Sequence, residues 1–187
     1  MPDFLRFRVR LLDVEADLWR TFLLKKAATF YDLHMAIQDA CGWENYHLWS
    51  FYDGDPRNAI AGAPDEFDPS ANEPDARKVK LAKYFPRKSS IVYWYDFGDS
   101  WMHEVTLEGI ETHPQRWIRR LLDGAGSFPR EDCGGVPGYE HCVAVATGGK
   151  WDPAFGDEED REDFVKWLDG WKPDSFDLEG VRREFNM

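Results

Sequence analysis

Long hydrophobic runs are absent from this sequence: no apolar stretch approaches the ~20 residues that a membrane-spanning helix needs. Cysteine is scarce. Cys41, Cys133 and Cys142 are odd in number and outside CxxC spacing, which argues against a disulfide scaffold and fits a reducing cytoplasm. Positive charge is outnumbered, with 23 Lys and Arg against 35 Asp and Glu and a net charge of −12. A general phosphate-backbone binder needs the reverse. Neither GxxxxGK[ST] nor GxGxxG occurs, which counts against nucleotide binding. A basic start followed by an apolar stretch is also missing, so no secretory signal is expected.

Aromatic residues are plentiful: 9 Trp, 7 Tyr and 13 Phe in 187 residues, of which 43% are apolar. A chain this long buries roughly 70% of its unfolded surface, enough for a core within one domain. The acidic excess lies toward the end. Residues 152–187 hold 5 basic and 12 acidic groups, whereas residues 1–48 hold 6 and 7. The acidic tail reads as the solvated face of helices over about 157–187.

Periodicity supplies the elements. Leu5 to Leu11 alternates apolar and basic residues, a strand with Arg6, Arg8 and Arg10 on its wet face, and Leu18 to Leu24 returns as its hairpin partner. Thr29-Phe30-Tyr31-Asp32 is a capping box, followed by Phe30, Leu33, Ile37 and Cys41 on one helical face that Gly42 ends. His47 to Tyr52 is an aromatic strand. Residues 53–76, rich in Pro, Gly, Asp and Asn, read as a long exposed loop. Ile91–Tyr95 and Trp101–Ile110 flank Asp96-Phe97-Gly98-Asp99-Ser100, the clearest hairpin in the chain. Trp117–Leu122 fits strand or helix equally. Helices are expected from Tyr139 to about Ala146, from about Asp157, and from Asp174 to Phe185. Together these give an α+β fold, a single domain over residues 1–187, with a mixed or mostly antiparallel sheet and helices packed against it.

The hairpin holds the strongest chemical candidate. Asp96 and Asp99 bracket a glycine turn, and His103 follows on the second strand. Glu131 and Asp132 could add oxygens from a later loop, and such a set suits a divalent metal ion. The competing reading is structural, because Asp and Gly are what tight turns require. Cys133 could act as a nucleophile with His103 or His141 as base, against the commoner role of a buried small apolar side chain. Arg6, Arg8, Arg10 and Arg20, with Trp19, Trp43, Trp49, Trp94 and Trp101 nearby, would suit single-stranded nucleic acid. Core packing explains most of these aromatics as well. His34 and His47 read as structural histidines.

Several segments carry a likeness to a known family: Leu18-Trp19-Arg20, Gly42-Trp43, His47-Leu48, Tyr95-Asp96-Phe97-Gly98-Asp99-Ser100-Trp101-Met102-His103 and Glu131-Asp132-Cys133-Gly134-Gly135 with Gly138-Tyr139. In order and spacing they resemble the plasmid pRiA4b ORF-3-like family over nearly the whole chain. Ser127-Phe128-Pro129-Arg130 departs from it, standing where the family usually has a Cys and a doubled Pro. That departure counts against a metal or redox role built on a cysteine there. The resemblance implies an α+β cytoplasmic protein of bacterial and archaeal type with no established activity. Its resolvase-like label finds no support in an acidic C-terminal end. The expected function is a binding or accessory module of mobile-element or plasmid-associated type; its partner is left open, with a protein possible, nucleic acid disfavoured and no membrane expected. The alternatives are a divalent-metal-dependent, hydrolase-like enzyme using Asp96, Asp99, His103, Glu131 and Asp132, and a nucleic-acid accessory binder without recombinase chemistry. The residues alone leave open whether the protein is an enzyme.

Overall fold

Alternation builds the sheet. Strand β1 (Asp3–Leu11) sends Phe7, Val9 and Leu11 into the core and Arg6, Arg8 and Arg10 outward. It pairs with β2 (Trp19–Lys25) as a hairpin. Five further strands, β3 (Trp49–Tyr52), β4 (Ala59–Gly62), β5 (Ser90–Tyr95), β6 (Trp101–Thr112) and β7 (Arg119–Ala125), complete seven strands among the described residues, in the order β4-β3-β5-β6-β1-β2-β7. All six pairings are antiparallel. This computed structural model describes residues 1–63, 73–115 and 117–186.

Helix α1 (Phe30–Cys41) starts where expected. The Thr29 hydroxyl accepts the Asp32 N–H while the Asp32 carboxylate accepts the Thr29 N–H, and Gly42 closes the helix at φ 80°. Phe30 meets Phe51 at 5.2 Å between ring centroids, which lays α1 on the apolar face of the sheet. Helix α4 (Leu178–Phe185) covers the same face, its Phe185 ring 5.5 Å from Phe22. Helices α2 (Gly135–Ala146) and α3 (Glu158–Leu168) lie between them in the chain. The architecture is a single α+β domain, and no helix among the described residues is long and apolar enough to cross a membrane.

Several segments differ from the sequence expectation, among them the last helix, expected from Asp174 and starting at Leu178 behind its N-cap Asp177. The 53–76 stretch contains β4, whose Ile60 and Ala61 are buried; residues 64–72 of it lie outside the described residues. The ambiguous 117–122 segment resolves into β7, a strand that pairs with β2 and buries Leu121. Helix α2 begins four residues before Tyr139, because Gly134 and Gly135, at φ 92° and 68°, turn the loop directly into the helix.

Candidate functional site

Three loops meet at one end of the sheet: the segment after α1, the β5–β6 corner, and the loop before α2. Their contacts are specific. The Trp43 indole donates to the Pro129 carbonyl at 2.8 Å, the Glu44 N–H to Glu131 Oε2 at 2.7 Å, and the Gly134 N–H to Asp99 Oδ2 at 3.1 Å. The Tyr95 hydroxyl donates to the other Glu131 oxygen. The glycine-cornered hairpin and the later Gly-rich bend therefore touch, as the sequence suggested.

A buried polar network holds the first loop in place. The His34 ring bonds the Tyr93 hydroxyl and Asn45 Oδ1, each at 2.8 Å, and the Asn45 N–H donates to Gln38 Oε1 at 2.9 Å. Burial pushes the His34 pKa down to about 3, so this ring is neutral near pH 7. Two residues on, the Trp49↔Tyr95 pairing of β3 with β5 brings His47 beside Asp96.

The candidate acids divide into two kinds. Asp99 and Glu131 are occupied by the backbone and Tyr95 bonds just described. Asp96 divides its own carboxylate: Oδ1 accepts the Gly98 and Asp99 N–H groups at 3.0 and 3.3 Å, and Oδ2 faces His47 Nε2 at 3.7 Å. Asp132 Oδ1 approaches the same nitrogen at 3.2 Å. The three donor atoms all lie within 4.8 Å of one another. His47 Nε2 is shielded from solvent yet has no hydrogen bond of good geometry. Among the described residues this is the one His/Asp group with metal-ligand spacing.

His103 does not join them. Its inward register, opposite Tyr93, buries it fully, with Nδ1 at 3.3 Å from the Tyr93 carbonyl and the ring against Trp43. Burial lowers its pKa to about 4. His141 is stacked on Phe155 at 3.9 Å, and the Cys133 thiol turns to the Gly135 carbonyl. Neither histidine is placed as a base for that thiol. His47, read from the sequence as structural, is the residue that sequence reasoning missed as a ligand. Only the β3–β5 register relates position 47 to position 96.

The arginine stripe is neutralised where it stands. Arg6 pairs with Glu108 and Glu111 at 3.0 and 3.2 Å, Arg10 with Glu104 at 3.7 Å, and Arg8 lies over the Trp19 ring with Asp17 at 3.9 Å. Arg20 points the other way, into the core. Trp43, Trp49 and Trp101 are buried. His47 lines a pocket of about 200 Å³ with Tyr31, Asn45 and Trp49, and a separate cleft of about 490 Å³ is lined by Tyr46 and Glu131 but by none of the three His/Asp residues.

The family model for plasmid pRiA4b ORF-3-like proteins matches residues 3–180. The chain belongs to this family. Uncharacterized protein y4hQ of Sinorhizobium fredii (strain NBRC 101917 / NGR234) is 35% identical over 151 residues, covering 78% of this chain and 75% of that protein. The crystal structure of MM3350, a protein of unknown function from Methanosarcina mazei Go1, matches with a TM-score of 0.76 and 30% identity. That match covers 97% of this chain and 98% of the other. The pRiA4b ORF-3-like match thus spans the whole described sheet and α1 to α3, and ends within α4.

Proposed function

We propose that this pRiA4b ORF-3-like protein is a cytoplasmic binding module that takes a divalent metal ion at His47 Nε2, Asp96 Oδ2 and Asp132 Oδ1. The observation that carries the reading is the solvent-shielded, unpartnered His47 nitrogen facing two carboxylate oxygens at 3.2 and 3.7 Å. Donors held about 2.1 Å from a tetrahedral ion sit about 3.4 Å from one another, so this spacing suits a metal. One imidazole and two carboxylates favour Zn²⁺ or Mn²⁺ over Ca²⁺. Three protein ligands would leave a coordination position free for a water or a ligand atom, and the pocket lined by His47 would admit it.

The same open position favours a second reading, metal-assisted hydrolysis, in which a bound water becomes the nucleophile. Glu131, with both oxygens engaged, is not free to serve as base there.

The test is a thermal melt of the full chain with and without Zn²⁺ or Mn²⁺. Metal at a hundredfold excess over its Kd contributes about 2.7 kcal/mol, a rise of roughly 5–10 °C in a domain of this size. A chelator should reverse the rise, and His47→Gln and Asp132→Asn should each abolish it while remaining folded. An unchanged melt, or a rise that survives both substitutions, retires the metal. Ligand binding without turnover separates the module from the hydrolase.

A further inference from the structure

Carboxylates without partners gather at one further place. A cleft of about 710 Å³ opens between α2, the β1–β2 turn and the segment joining α3 to α4. Glu15 enters it from the turn, Glu140 from α2 and Asp174 from the joining segment, all three exposed at its rim. Among the described residues none of these carboxylates makes a hydrogen bond or an ion pair, and no Lys, Arg or His lines the cleft. Like charges brought together in this way repel, and no side chain of the cleft offsets them.

The floor differs from the rim. Ala16, Val143, Ala144 and Pro173, each half-buried, give it an apolar lining. Tyr139, Val143 and Thr147 follow one another at four-residue steps along one face of α2, and all three line the cleft. Tyr139 is 3% exposed, and its hydroxyl is shielded from solvent without a hydrogen-bond partner. A buried phenol ordinarily bonds something, so this one is a free donor and acceptor at the base of the cleft. The walls are fixed. The Ser127 N–H donates to the Pro173 carbonyl at 2.8 Å, and the Ser127 hydroxyl bonds the Lys172 and Ser175 carbonyls, each at 2.6 Å. On the opposite wall the Leu18 N–H donates to the Ala16 carbonyl at 3.0 Å. A ligand therefore meets a cleft already formed, with little ordering left to oppose binding.

We propose that this cleft binds an aliphatic polyammonium ion, with its ammonium groups on Glu15, Glu140 and Asp174, its methylenes on the apolar floor and one N–H donated to the Tyr139 oxygen. The spacing of the acids selects this class over a metal ion. Their oxygens do not gather within the 4.8 Å that unites His47, Asp96 and Asp132. One compact ion cannot be coordinated by all three, whereas charges strung along an alkyl chain reach them separately. Methylenes also gain from the apolar floor, which a hydrated ion does not. The site shares no residue with the His47 group and stands independently of the metal reading.

The experiment is a calorimetric titration of the full chain, first freed of metal by chelation and desalted, with spermidine. One molecule should bind per chain, more weakly as salt rises; absence of binding at low salt overturns the site. Hexaamminecobalt(III) matches spermidine in charge and carries N–H donors but no methylenes, so it should bind about tenfold more weakly. Equal affinity overturns the polyammonium class. Replacing Glu15 and Glu140 by Gln and Asp174 by Asn together should weaken spermidine about tenfold or more, the combined effect of three exposed ion pairs. Glu162→Gln, which neutralises an exposed acid of α3 outside the cleft, should change affinity by less than about twofold. Equal losses from the two changes, or several equivalent ions bound per chain, mean general attraction to an acidic protein and overturn the site. Tyr139→Phe removes a hydroxyl that has no partner, so the ligand-free melt should not fall, yet spermidine should bind about tenfold more weakly. Unchanged affinity in that variant overturns the hydroxyl contact. A lysine-rich peptide that binds where spermidine does not overturns the free polyamine in favour of a protein's lysine side chains.

Discussion

Asp99 Oδ2 accepts the Gly134 N–H at 3.1 Å, tying the corner of one hairpin to the start of a helix 35 residues later. The approach is close on both sides: a Cβ on Gly135 would lie 2.9 Å from the Asp99 carbonyl oxygen. This clasp fixes the distance between Asp96 and Asp132, because each lies within three residues of it. The site is thus built by backbone contacts, and its electrostatics follow from them.

Asp99→Ala is expected to lower stability by about 1–2 kcal/mol, the cost of a charge-assisted hydrogen bond and the backbone donor left behind. Asp99→Asn keeps an acceptor oxygen and should lose less. Urea melts of the two variants check this. Equal stability of Asp99→Ala and the parent would mean that the clasp contributes nothing.

Arg20 lies among carbonyls rather than facing solvent. Its guanidinium donates to Ala40, Trp19, Ala125 and Gly126 at 2.8–2.9 Å and is packed between Phe128 and Phe176. Burial lowers its pKa to about 10, which leaves it charged at neutral pH. It joins the end of α1 to the end of β7. Arg20→Lys should cost at least about 3 kcal/mol, since an ammonium cannot span four carbonyls and each buried orphan costs about 1–3 kcal/mol. Denaturant melts of this variant decide it, and a loss under 1 kcal/mol would contradict the prediction.

Much of this was legible from local pattern. Turn chemistry marked the Asp96–Ser100 corner, the capping box marked α1, and alternation marked the hairpins. Alternation also contained the fate of Arg20, which falls at an inward position between Leu18 and Phe22. The His/Asp group was harder to see. Positions 47, 96 and 132 come together through strand register and a loop crossing, and no short-range spacing encodes either. His103 was drawn toward the acids by its nearness in sequence, yet side-chain alternation from Trp101 sends it into the core while the acids stay in the turn. β4 was hidden because four small and apolar residues, Ala59-Ile60-Ala61-Gly62, stand within a stretch rich in turn formers.

Acid should destabilise the fold through His34 and His103. Both pKa values are lowered in the folded protein by burial, to about 3 and about 4. The unfolded chain therefore binds protons that the folded chain refuses. Their contribution is full above the ordinary histidine value near 6.5 and is lost as pH falls toward the folded values. Between pH 6 and 4 each histidine should add up to about 1.4 kcal/mol of lost stability per pH unit. His103→Gln should flatten the slope, and unfolding free energies measured at several pH values will show whether it does.

Gly138→Ala tests how tightly the Cys133 loop lies on α2. Alanine is ordinarily the better helix former by about 1 kcal/mol, so an open helical position would be stabilised. Here the added methyl would meet the Cys133 carbonyl oxygen at 1.7 Å and its carbon at 2.5 Å, both backbone atoms that no side-chain rotation can clear. The loop must lift, carrying Asp132 from His47. The expected outcome is a loss of about 2 kcal/mol or more, measured by denaturant melt. Gly148→Ala is the control, since it has φ 78° but nothing within 4 Å. Its cost should come from backbone strain alone, roughly 1 kcal/mol, and should leave the His47 contacts intact.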